Sequence, residues 1–177
     1  MRRIILLVLL VFMITGCSGK NGSKEAEQLN LEPKVGAAAT DFLYRDMDEK
    51  PFRLSGKKGS VVLLYFWRMK CEDCKDAMKS LEELHLKYKD NGLIVAAVGA
   101  DTMHSSPIND VREFLSRNKF TFIAMRDDEG FVSEAFGVIQ APVAYVIDKN
   151  GVIAAIVKGK TDWMSAENTK LIESLLK

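Results

Sequence analysis

Only three cysteines, two histidines and four prolines occur among 177 residues, and each scarcity removes a class of function. A structural zinc site takes four Cys or His ligands. Cys71 and Cys74 would need two more, with only Cys17, His85 and His104 left to supply them. Covalent haem attachment needs Cys-x-x-Cys-His, and Lys75 stands at the histidine position. Charge of one sign is lacking too: 25 basic against 24 acidic residues leave a formal net charge of +1. That balance, with no basic run beyond the N-terminus, argues against a nucleic-acid partner. The apolar run Ile4–Ile14 falls short of the roughly 20 residues a membrane-spanning helix needs. There is no internal repeat and no low-complexity block.

What the N-terminus does contain sets a compartment. Arg2 and Arg3 precede the run Ile4–Ile14, which ends in Ile14-Thr15-Gly16-Cys17. A basic start, a short apolar core and small residues describe a secretory signal over residues 1–16. Its ending resembles a bacterial lipoprotein signal, which implies cleavage before Cys17 and lipidation of that residue. An uncleaved anchor, or an ordinary signal with an incidental cysteine, is the alternative. Lipidation of Cys17 would leave one even pair, Cys71 and Cys74. Residues 17–33 are polar and read as a flexible tether. Residues 34–177 are long enough for one domain with its own core.

Across that domain, strand and helix patterns alternate. Phe52–Leu54 is a short strand candidate, and Val61–Trp67 reads as a buried parallel strand. From Cys74 to Tyr88 the apolar residues Cys74, Ala77, Met78, Leu81, Leu84 and Tyr88 recur at helical spacing. Asn91-Gly92 is a helix stop, and Leu93–Val98 a second strand. Ser106-Pro107 looks like an N-cap and first helical position, with Ile108, Val111, Phe114 and Leu115 as the buried stripe. Thr121–Met125 is a third strand, and Phe131–Phe136 a short helix ending at Gly137. Val143–Ile147 and Val152–Val157 flank the hairpin signal Asp148-Lys149-Asn150-Gly151. Ser165 caps a last helix carrying Leu171, Ile172, Leu175 and Leu176. The pattern is that of an α/β fold with a parallel part and an antiparallel end.

The chemistry concentrates at Cys71-Glu72-Asp73-Cys74, where a strand runs into a helix. Two thiols three positions apart at a helix start can close a disulfide, and the positive end of the helix favours a thiolate. Dithiol–disulfide exchange fits best. An inert disulfide and copper(I) held by two thiolates stay open.

In order and spacing, several segments together resemble thioredoxin-fold proteins of the membrane-tethered TlpA/ResA type, within the redoxin (AhpC/TSA) superfamily. They are Val35–Phe42, Leu54-Ser55 with Gly59, Phe66-Trp67 before Cys71 and Cys74, Gly137-Val138 before Ala141-Pro142, and Val146-Ile147-Asp148 with Gly151. The resemblance covers nearly all of residues 34–177. It implies a thioredoxin-like fold: a mixed central sheet flanked by helices, with an N-terminal hairpin and a central αβ insertion. It also implies a thiol:disulfide oxidoreductase with a Cys71–Cys74 redox disulfide and no organic cofactor or metal. A cis Ala141–Pro142 peptide would present Ala141 to an extended substrate, with Trp67 beside the disulfide. The implied partners are exported proteins with disulfides, apocytochrome c among them, and a membrane-embedded electron donor. The implied location is lipid-anchored in the cell envelope, facing the extracytoplasmic side.

This sequence departs from the family's pattern in several places. Lys70 replaces a Trp before the first cysteine, acidic residues replace a Pro between the cysteines, and Val143 replaces a Thr after Pro142. The buried acids that relatives carry near the second thiol fall on Tyr65 and Ala77. Glu72 and Asp73 disfavour a thiolate, whereas Lys70, Lys75 and the helix dipole favour one. A moderately to strongly reducing couple is expected. Two other readings are carried along. A peroxiredoxin-like peroxidase would need Thr and Pro before the cysteine, where Arg68 and Lys70 stand. A copper-binding module would need a distal His. His85 lies about 16 Å along the helix from Cys74, too far for a catalytic base. His104 lies in a polar loop, and Met69 and Phe136 are either groove-lining or core.

Overall fold

Seven consecutive apolar or aromatic residues with no turn former among them make Val61–Trp67 a strand covered on both faces. All seven are buried in the computed structural model, which describes residues 33–102 and 104–177. The expected signal, Cys17 and nearly all of the expected tether lie outside the described residues. Val61–Trp67 is β3 of the seven strands among the described residues, after β1 (Leu43–Arg45) and β2 (Pro51–Arg53). Helix α1 (Glu72–Tyr88), β4 (Leu93–Gly99), α2 (Ile108–Arg117), β5 (Ile123–Arg126) and α3 (Phe131–Ala135) follow. The chain ends with β6 (Val143–Ile147), β7 (Ile153–Lys158) and α4 (Ala166–Leu176).

The main sheet has the order β5-β4-β3-β6-β7. The βαβ connections through α1 and α2 make β3, β4 and β5 parallel, while β6 runs antiparallel to β3 and β7 to β6. This is the mixed sheet of a thioredoxin-like fold. β1 and β2 pair antiparallel as a separate two-stranded ribbon. Trp67 pairs with Gly99, and Gly99 with Arg126, so three strand ends lie side by side below the Cys71 turn. The Trp67 indole lies close over Gly99: a Cβ there would sit 3.7 Å from Trp67 Nε1 and 3.5 Å from the Met125 carbonyl, in ordinary van der Waals contact.

Alternation along β3 splits the core in two. Val61, Leu63, Tyr65 and Trp67 face α1, α2 and α4, where Met78, Leu81, Leu84 and Ile172 are fully buried. Val62, Leu64 and Phe66 face the other layer, against Phe52, Val132 and Phe136. Each fully buried Leu or Met contributes about 2 kcal/mol by area.

Turn chemistry fixes the ends of the elements. Gly92 at φ 96° closes the stop after α1. The Asp148 carboxylate accepts from the Asn150 and Val152 N–H groups at 2.9 and 2.8 Å, shaping the β6–β7 hairpin. Ser165 Oγ accepts from Asn168 N–H and caps α4 as expected. In α4 only Ile172 of the four expected residues is fully buried.

Two expectations need correction. Ser106 does not cap α2: its hydroxyl turns to Asp101, Pro107 takes the N-cap position, and Ile108 is 44% exposed. The strand expected from Thr121 begins at Ile123. The Thr121 N–H and hydroxyl instead donate to the buried Glu82 carboxylate of α1, at 2.9 and 2.5 Å, which draws that residue off the sheet.

Candidate functional site

Cys71 is the N-cap of α1, with extended backbone angles, because the turn Arg68–Lys70 reverses the chain between β3 and the helix. Its Sγ accepts from Cys74 N–H at 3.1 Å. That is the donor a thiolate at this sulfur would use, and the dipole of a 17-residue helix adds to it. The two sulfurs are bonded, with Cα atoms 5.2 Å apart. Cys71 is half-buried, whereas Cys74, one turn into the helix, has no exposed surface. Only the first sulfur can be reached from outside.

Across from it, the Ala141–Pro142 peptide is cis, and the Ala141 carbonyl oxygen lies 3.8 Å from Cys71 Sγ. The Pro142 carbonyl accepts from Gly159 N–H at 2.9 Å, tying this loop to the end of β7. The structure thus brings Cys71, Cys74, Ala141 and Pro142 together.

Trp67 does not join them at the surface. It is 1% exposed and packs on Phe114 with ring centroids 5.5 Å apart, so it supports the site from below and has no face open to a substrate. Phe136 is core, packed edge-on or tilted against Phe42, Phe66 and Tyr145 in the opposite layer. Met69 is half-buried against the Cys74 side of the core. His85 sits far along α1, and burial lowers its pKa. His104 is exposed in its loop.

Three supporting contacts were not read from the sequence. The Tyr65 hydroxyl donates to the Cys74 carbonyl at 3.0 Å. Burial, with the Asp73 charge adding, pushes the Tyr65 phenol far above its ordinary pKa, so it acts as a neutral donor. Asp101, 5% exposed just past β4, accepts the Met69 N–H at 2.7 Å, two residues before Cys71. The hydroxyls of Ser106 and Ser105 lie 3.3 and 3.5 Å from its other oxygen. Lys160 reaches α1 from the loop after β7, 2.7 Å from Asp76 and 3.7 Å from Asp73. A hydrogen bond from Lys160 holds the Asp76 carboxyl below its ordinary range. Glu72 is paired in turn with Lys75 at 2.6 Å. These pairs are exposed and screened, but both acidic residues between the cysteines have a cation beside them. A buried-looking Asp at the end of an apolar strand was the one available signal for Asp101. Nothing local pointed to Lys160.

Positions 65 and 77 are both buried, but the Tyr and Ala that occupy them carry no carboxylate to set beneath Cys74. Among the described residues, no group of three or more His, Cys, Asp or Glu is placed to hold a metal ion. Among the same residues, no helix is long and apolar enough to cross a membrane.

Comparison with known proteins agrees with this geometry. The chain is 27% identical over 158 residues to the thiol-disulfide oxidoreductase ResA of Bacillus cereus, covering 89% of each protein. It is 33% identical over 125 residues to ResA of Geobacillus thermodenitrificans, covering 71% of this chain and 70% of that one. A solved structure assigned to thiol:disulfide interchange protein DsbE from Chlorobium tepidum superposes with a TM-score of 0.74 at 27% identity. That match covers 82% of this chain and all of the other. The profile of the AhpC/TSA family matches residues 35–156. With a Cys-x-x-Cys disulfide at a helix start on this fold, the chain belongs to the AhpC/TSA family as a thiol-disulfide oxidoreductase.

Proposed function

We propose that this oxidoreductase works as a reductant of disulfides in exported proteins, held at a membrane by lipid on Cys17. The observation that carries the direction of attack is the asymmetry of the pair. Cys71 is half-exposed at the helix start beside the Ala141 carbonyl, and Cys74 is closed off.

In the reduced protein the Cys71 thiolate attacks one sulfur of a partner disulfide. The partner S–S bond breaks, its other sulfur leaves and takes a proton, and a mixed disulfide forms. Cys74, deprotonated, then attacks Cys71 Sγ and expels the second partner sulfur, which is protonated. The partner has gained two electrons and two protons, and Cys71–Cys74 is left as the disulfide seen here. No organic cofactor or metal takes part. A membrane-embedded two-electron donor returns the pair to the dithiol.

An extended partner segment would lie along Ala141 and Pro142. The exposed Ile139, 85% accessible, adds an apolar contact on that loop. Glu72 and Asp73 beside the thiols favour a weak oxidant, an effect that Lys75 and Lys160 partly offset. Apocytochrome c, delivered for haem attachment, is the proposed class of substrate.

Trapping tests the assignment. Cys74→Ser, expressed in the exporting cell, accumulates mixed disulfides with exported proteins that dithiothreitol releases, and Cys71→Ser accumulates none. Equal trapping by both variants, or by neither, contradicts the assignment.

A further inference from the structure

Arg126, at the end of β5, has almost no exposed side chain: 4%. Its Nε donates to Asp128 at 2.5 Å. Nη1 and Nη2 are buried and have no hydrogen-bond partner among the described residues. A buried guanidinium with two unmatched nitrogens is costly, since each donor has given up water without replacement. Arg126 also lines a cavity of about 520 Å³, a size typical of small-ligand sites. Its wall holds the apolar surfaces of Leu43, Met47, Pro51 and Ile108, and two further cations, Arg112 and Arg45, the latter donating to the Glu49 carbonyl. Leu43 and Ile108 are 57% and 44% exposed, so part of the outer wall is apolar. Ile108 and Arg112, both from the ten-residue α2, line the same space.

We infer that this cavity binds a carboxylate carried on a compact apolar group. Nη1 and Nη2 are closed off from solvent, so binding includes a shift of the side chains that cover them; the carboxylate oxygens then pair with Nη1 and Nη2 of Arg126, and the apolar body rests on Leu43 and Ile108. A planar monoanion matches the two-nitrogen edge of a guanidinium. Asp46, Glu49 and Asp128 stand in the same wall and repel a dianion, so inorganic phosphate is a poor fit. The site lies at the Cys71 end of the sheet. Arg126 pairs with Gly99 and Gly99 with Trp67, which places it two strands, about 10 Å, from the Trp67 backbone. Both a free amphiphilic acid and an acidic residue between apolar neighbours in a protein segment carry this chemistry.

Calorimetric titration of the full chain with hexanoate tests the site, with hexanol and inorganic phosphate as controls. Hexanoate is expected to saturate one site with a Kd of about 1 mM, and hexanol and phosphate to bind at least tenfold more weakly. Arg126→Gln is expected to lose at least tenfold in affinity. Arg126→Lys keeps the charge but not the two-nitrogen edge, and carries the test if the Gln variant fails to fold. It too is expected to lose about tenfold. A capped tripeptide with glutamate between two leucines, against its glutamine counterpart, separates the sources. Glutamate-selective, Arg126-dependent binding assigns a protein segment, and binding of hexanoate alone assigns a free acid. The inference is overturned by no saturable hexanoate binding, by undiminished binding to a folded Arg126 variant, or by tighter binding of phosphate.

Discussion

Asp101→Ala removes a side chain that ties the turn before Cys71 to the segment after β4. Its carboxylate accepts the Met69 N–H at 2.7 Å, while the Ser106 and Ser105 hydroxyls are at 3.3 and 3.5 Å. A hydrogen bond to a charged acceptor contributes about 1.5–3 kcal/mol, and the two long contacts add little. The loss is therefore about 2–3 kcal/mol, or about 5–10 °C in Tm for a domain of this size. Asp101→Asn keeps an acceptor oxygen in place without the charge and should lose about 1 kcal/mol. The loosened turn also displaces Cys71 from the Ala141 carbonyl, and small misplacements at a reacting atom are expensive. The rate at which the reduced protein cleaves insulin disulfides should fall about tenfold in Asp101→Ala and less in Asp101→Asn. Thermal unfolding of the oxidised protein and the insulin assay, run on both variants, check this. If Asp101→Ala stays within about 0.5 kcal/mol of the parent and reduces insulin at the parent rate, the anchoring role is refuted.

Other outcomes follow from burial and charge. Leu81, fully buried between α1 and the sheet, should cost about 3 kcal/mol as Leu81→Ala, read as a lower urea midpoint with unchanged slope. Tyr65→Phe deletes only the donor to the Cys74 carbonyl and should cost about 1 kcal/mol, with the fold intact by circular dichroism. His85 is held below its ordinary pKa by burial, so the unfolded chain takes up the proton first. Stability should therefore fall as pH drops below about 6.5, with a slope of at most about 1.4 kcal/mol per unit. His85→Gln should flatten that part of a pH series of urea melts. An unchanged slope would mean His85 does not titrate differently in the folded protein.

The parts of the fold that local pattern dictates were legible. Val61–Trp67 and Val143–Ile147 were read to the residue, because each is an unbroken apolar run bounded by turn formers. The stripe of α1 was legible from its 3.6-residue period, and the Cys71–Cys74 pair from its place at a helix start. The misreadings have one cause: a side chain expected to act locally acts at long range. Ser106 looked like a cap but turns to Asp101, and Thr121 looked like a strand residue but binds Glu82, 39 positions away. The same limit hid the contacts around the disulfide. Lys160 is 84 positions from Asp76 and Asp101 is 32 from Met69, pairings that only the closed sheet creates. Trp67 was placed at the right end of its strand. Which way its ring faces is set by packing on Phe114 of α2, 47 positions away.

The reduction potential of the Cys71–Cys74 couple tests the proposed direction most directly. It would be read from thiol trapping after equilibration in dithiothreitol or glutathione buffers, with Cys71→Ser as control. A reductant fed by a membrane donor requires a value near or below about −250 mV, whereas a value above about −150 mV would make the protein an oxidant or isomerase and contradict the proposal.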